Sequence, residues 1–112
     1  MALIKAFQNE GLVIYNVTTA VTFAIATDWE QWMLTEHGPE MVATGCFTKF
    51  HLLKLLQIEE VEGPTYAVQY YAATIASYKH YLEEYKPTFQ QMILDRWGGA
   101  SISFSTLMEM VR

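Results

Sequence analysis

Residues 27–47 read TDWEQWMLTEHGPEMVATGCF, and the spacing of their apolar side chains decides how the rest of the chain is arranged. Thr27 followed by Glu30 has the form of a capping box, in which the threonine hydroxyl accepts from a backbone N–H three residues on and the glutamate reaches back. A helix is therefore expected from about Asp28. Trp29, Trp32, Met33 and then Glu36 or His37 recur at three- and four-residue steps, while Asp28, Glu30, Gln31 and Thr35 fall on the other side, so one face is apolar and one is wet. Gly38-Pro39 interrupts the pattern, because proline lacks an N–H and disfavours helix at the residue before it. Proline suits the first turn of a new helix. The expectation is a helix to about His37, a break, and one or two more turns through Ala43 ended by Gly45.

On the N-terminal side, Leu12–Phe23 is rich in β-branched and aromatic residues. Val13, Tyr15, Val17, Val21 and Phe23 alternate with Leu12, Ile14, Asn16, Thr18 and Ala20, which predicts a strand. Ala24-Ile25-Ala26 gives this stretch a superficial likeness to a secretory signal. The strand alternation, with Glu10 before it and too few residues to span a bilayer, argues against both a signal and a membrane segment. Residues 1–11 are expected to be a flexible or extra-strand N-terminal extension.

On the C-terminal side, residues 47–57 predict a second strand, with Phe47, Lys49, His51, Leu53 and Leu55 opposing Thr48, Phe50, Leu52, Lys54 and Leu56. An acidic connection closes with Gly63-Pro64. Thr65–Tyr71 predicts a third strand, with Tyr66, Val68 and Tyr70 opposing Ala67, Gln69 and Tyr71. Thr74 is placed to cap a second helix whose seam runs Ile75, Tyr78, Leu82, Tyr85, Phe89 and Met92. Pro87 should kink or restart it, and Gly98-Gly99 should end it. Residues 100–111 predict the last strand, Ile102, Phe104, Thr106, Met108 and Met110 opposing Ser101, Ser103, Ser105, Leu107, Glu109 and Val111.

The order strand, helix, strand, strand, helix, strand is the ferredoxin-like β-α-β-β-α-β arrangement, an α+β fold with two helices on one face of a four-stranded antiparallel sheet. The 112 residues make one domain. At 52% hydrophobic and only 17% charged, the chain has more apolar surface than a domain of this size hides easily, and its strands are apolar on both faces. A second copy covering the free face would form a dimeric α+β barrel, so the expected partner is the chain itself, as a homodimer through the sheet face.

A net charge of −5 argues against nucleic acid and against an anionic membrane surface, both of which require basic patches. Cys46 is the only cysteine, so no internal disulfide forms, and a reducing, cytoplasmic setting fits. No cofactor motif is present, and neither a phosphate loop nor a catalytic triad spacing appears. No metal set is expected: Glu36 and His37, the possible ligands beside Glu40, are adjacent and diverge by about 100° on a helix, and no second histidine lies near.

Several segments together resemble a family of small bacterial proteins of unknown function within the dimeric α+β-barrel superfamily: Val13-Ile14-Tyr15-Asn16-Val17-Thr18, Trp29 through Trp32 to Glu36-His37 and Pro39, Ala43-Thr44-Gly45-Cys46-Phe47, and Thr65-Tyr66-Ala67-Val68-Gln69-Tyr70. The resemblance covers about Leu12 to Val111; Gly38 stands where such chains often have an aliphatic residue. It implies the ferredoxin-like fold and a homodimer, and no particular reaction, since that superfamily includes cofactor-free oxygenases, isomerases and proteins without known chemistry.

His37 is the leading candidate site residue, as a polar anchor or a general base, because an imidazole ordinarily titrates near neutrality. Asn16 and Gln69 are amides within apolar strands and are expected to orient a ligand. Trp29, Trp32 and Tyr66 supply flat apolar surface, although aromatic stripes at this spacing are more often plain core. The expected function is binding of a small apolar or aromatic molecule between helices and sheet. The alternatives are a cofactor-independent monooxygenase or isomerase with His37 as base, and a non-catalytic interaction module.

Overall fold

In the computed structural model, which describes residues 12–111, four strands form one antiparallel sheet in the order β2-β3-β1-β4. The strands are β1 (Val13–Val21), β2 (Lys49–Lys54), β3 (Thr65–Ala72) and β4 (Ser101–Glu109). The helical segments are α1 (Ala26–Trp32), a π-helical turn (Met33–His37), α2 (Gly38–Ala43), α3 (Ile75–Glu84) and α4 (Lys86–Trp97), with a short 3-10 turn at Gly98–Ala100. This is the ferredoxin-like arrangement, with each of its two helical segments divided in two.

The sheet's register follows from side-chain alternation. Tyr15 lies opposite Tyr70 on β3 and Leu107 on β4, and Val17 opposite Val68 and Ser105. Val13, Tyr15, Val21, Tyr66, Val68, Tyr70 and Ala72 are buried beneath the helices. The neighbouring positions, Ile14, Asn16, Thr18, Ala67, Gln69, Tyr71, Ile102, Phe104, Thr106 and Met108, occupy the other face, because successive residues of a strand point to opposite sides. The face with the larger buried side chains is the face the helices cover.

Two details of the first helix depart from the sequence reading. The capping box does not form: the helix starts at Ala26 with Ile25 as its cap, without a side-chain cap bond, and the Glu30 carboxylate accepts instead from the Tyr66 hydroxyl at 2.8 Å. A partner 36 residues away on β3 wins because it satisfies a hydroxyl held against the core. Nor does Gly38-Pro39 break the helix. The chain stays helical through 26–43 by widening into the π turn, where the Gly38 N–H donates to the Met33 carbonyl five residues back, so the bond that proline cannot make is absorbed by a local change of pitch. Gly38 itself lies directly under the Phe50 ring of β2, where an added Cβ would clash with the ring.

The second helical segment follows expectation more closely. Thr74 caps α3 by accepting from the Ser77 N–H at 3.0 Å. Pro87 forces a restart at Tyr85, with Pro87 in the first turn of α4, and Gly98 ends α4 at a positive φ of 55°. Tyr81, outside the predicted seam, is the buried residue of α3, whereas Ile75 and Met92 from that seam are exposed. No residue of α4 is fully buried. Cys46 is buried as a free thiol.

Candidate functional site

The π turn determines the site's geometry. Trp32 and His37 are five residues apart, and on a regular helix of 3.6 residues per turn they would diverge by about 140°. A turn closed by i to i−5 bonds brings them one above the other. Their rings stack at 4.7 Å with an interplanar angle of 13°. Phe89 of α4 meets the imidazole edge-on at 5.5 Å, and Trp97 meets Trp32 edge-on at 5.5 Å.

His37 is therefore enclosed by aromatic surface, with 3% of its area exposed. Its Nδ1 is buried without a hydrogen-bond partner among the described residues. Burial disfavours the imidazolium and pushes the pKa down to about 4, so the ring is neutral near pH 7, with one nitrogen able to donate and the other to accept.

Beside it lies a cleft of about 320 Å3 between α4 and the β1–β4 half of the sheet. Its apolar wall includes Trp29, Trp32, Met33, Met41 and Ile93. The facing wall is polar. Ser101, Ser103 and Ser105 repeat every second residue along β4 and line the cleft with Thr19 of β1; the Thr19 and Ser103 hydroxyls are 2.7 Å apart and hydrogen-bonded. Lys86 and Gln90, one turn apart on α4, line a third side. Tyr15, Tyr70 and Tyr81 complete the lining near Ser105, and burial pushes all three phenols up, so they stay protonated.

His37, Trp29 and Trp32, proposed from sequence, thus come together at the cleft. Tyr66 supports them from behind: its ring packs on Trp29 at 4.9 Å, and its hydroxyl donates to Glu30. Asn16 and Gln69 do not join them. They are directly opposed in register, but on the uncovered face, where the Asn16 amide donates to Thr18 Oγ1 at 3.2 Å and Gln69 Oε1 accepts from the Tyr71 hydroxyl at 3.3 Å. The reason is strand periodicity: each sits one residue from the buried set, and one step turns a side chain to the other face. The alternation of Asn16 with Tyr15 and Val17 already held that signal. The sequence reading passed over Lys86, Gln90 and the three serines, since hydroxyls at every second residue of a terminal strand look like a solvated face.

Among the described residues, no group of three or more His, Cys, Asp or Glu is arranged to hold a metal, and no helix is long and apolar enough to cross a membrane.

Against known proteins, the profile of a family described as a domain of unknown function (DUF4286) matches residues 12–111. No curated protein matches the chain. Among solved structures, the fold is similar to that of a dimeric ferredoxin-like protein from an uncultured marine organism, with a TM-score of 0.61 at 13% identity, over 90% of this chain and 97% of that one.

Proposed function

The chain belongs to the DUF4286 family, and from that premise we propose that it is a cytosolic homodimer that holds a small, largely apolar or aromatic molecule between its helices and sheet, with His37 as the polar anchor. The observation that carries this reading is the buried, unpartnered His37 Nδ1 on the apolar side of the cleft. A polar atom removed from water without a partner costs about 1–3 kcal/mol, and a ligand that hydrogen-bonds to the imidazole offsets that cost. The anchor role is favoured over that of a general base for an oxygenase or isomerase, because a base whose conjugate acid has a pKa of about 4 has little driving force to take a proton near pH 7.

Pairing through the uncovered sheet face is supported by that face's composition. Ile102 is 75% exposed, Phe104 66% and Leu53 44%, and apolar surface gathered on one face of a sheet marks an interaction site. The similar marine protein is described as dimeric. Native mass spectrometry of protein purified gently from its own host tests the reading. The expected species is a dimer carrying a reproducible mass increment that is lost in His37→Phe; a monomer, or a dimer free of any increment, would count against it.

A further inference from the structure

Charge is distributed unevenly between the cleft and the rest of the molecule. The chain carries 12 Asp and Glu against 7 Lys and Arg, yet none of the described residues lining the cleft is a carboxylate. Lys86 is the cationic lining side chain. It stands at the start of α4, one turn from the Gln90 amide. Gly98 lies at the opposite end of that helix, and the chain turns back there into Ser101. The polar wall accordingly runs from Ser101 through Ser103 to Ser105, alongside a helix whose cleft-lining cation, Lys86, is at the end remote from Gly98 while Arg96, in its last turn, does not line the cleft. The buried imidazole faces this space from the apolar side, stacked on Trp32.

We propose that the molecule held in the cleft is an aromatic or similarly flat acid, its ring system against Trp32 and Met33, its carboxylate at Lys86 and Gln90, and its ring oxygen substituents on the β4 serines. This rests on the ligand-binding reading above and adds the chemical class. A neutral hydrocarbon would cover Lys86 in the cleft without giving its ammonium a partner, which counts against an analogue that lacks the matching atoms. A cationic ligand would meet Lys86 with no lining carboxylate to compensate. An anion gains a charge-assisted hydrogen bond, about twice as strong as a neutral one.

Isothermal titration calorimetry with 2-naphthoate and 2-naphthamide separates the possibilities, since the two probes share a ring system and differ in charge. The wild-type protein is expected to bind the acid about tenfold more tightly than the amide, a difference of about 1.4 kcal/mol. Lys86→Gln should bring the two affinities together by weakening the acid while leaving the amide unchanged. Equal affinities in the wild-type protein, or a preference for the acid that survives Lys86→Gln, would overturn the assignment of an acid while leaving a ligand-binding cleft in place. Failure of both probes to bind would overturn the inference together with the reading on which it rests.

Discussion

The two faces of the sheet are built from the same strands, yet they do opposite things with their apolar residues. Under the helices, Tyr15, Tyr70, Tyr81 and Phe47 pack ring against ring at centroid separations of 5.1–6.2 Å, and the space left over is a cleft beside His37. On the uncovered face, Ile102 and Phe104 stand out from β4, and the polar groups bond locally: Asn16 to Thr18, Gln69 to Tyr71, and Tyr71 to His51. One face buries its aromatics within the chain and leaves a gap of ligand size. The other holds its polar groups flat and leaves its large side chains exposed.

The sharpest way to break this contrast is to truncate one aromatic on each side. Trp29 is 2% exposed, and Trp29→Ala should cost about 4 kcal/mol of unfolding free energy through lost burial and the cavity it leaves. Phe104→Ala, on the open face, should cost the isolated subunit less than about 1 kcal/mol. Denaturant titration of both variants at low protein concentration checks the difference.

Acidity acts on the helix side. His37 has a folded pKa of about 4, below its ordinary 6.5, so between these values the unfolded chain binds a proton that the native protein does not. The stability contributed by the neutral ring is complete above about pH 6.5 and is lost as the pH falls toward 4. The full span is worth about 3 kcal/mol at 1.36 kcal/mol per pH unit. Urea midpoints between pH 7 and 4 should show this slope in the wild-type protein and lose it in His37→Phe.

On the open side, Phe104→Asp should raise the dimer dissociation constant about 100-fold, or about 2.7 kcal/mol, since pairing would bury a charge without a counterion. Sedimentation velocity reads this directly. A comparably small effect on stability is expected of His37→Phe at pH 7: replacing an unpartnered polar ring with an apolar one of similar shape should stabilise the free protein by about 1 kcal/mol while abolishing binding. A loss of stability instead would identify His37 as structural.

Much of the contrast was legible in the chain. The alternation of Val13 and Tyr15 with Ile14 and Asn16, and of Ile102 and Phe104 with Ser101 and Ser103, separates the two faces, and Thr74, Pro87 and Gly98 punctuate the second helical segment where local chemistry requires it. The features that were not legible depend on distant partners. Glu30 looks like a capping residue until Tyr66 is brought beside it. The stack of His37 on Trp32 needs a π turn, which a 3.6-residue period cannot anticipate. The serines of β4 become a cleft wall only because α4 stands opposite them without closing over them, and Asn16 and Gln69 were drawn toward the wrong face by their polarity despite their register.

The most direct test of the distinction between the faces is a titration of 15N-labelled protein with 2-naphthoate followed by amide and indole chemical shifts. Shifts are expected at Trp32, His37, Gln90 and Ser103, with Thr106, Gln69 and His51 unmoved. Perturbation centred on Thr106, Gln69 and His51, with the cleft residues silent, would contradict the assignment of ligand to one face and partner to the other.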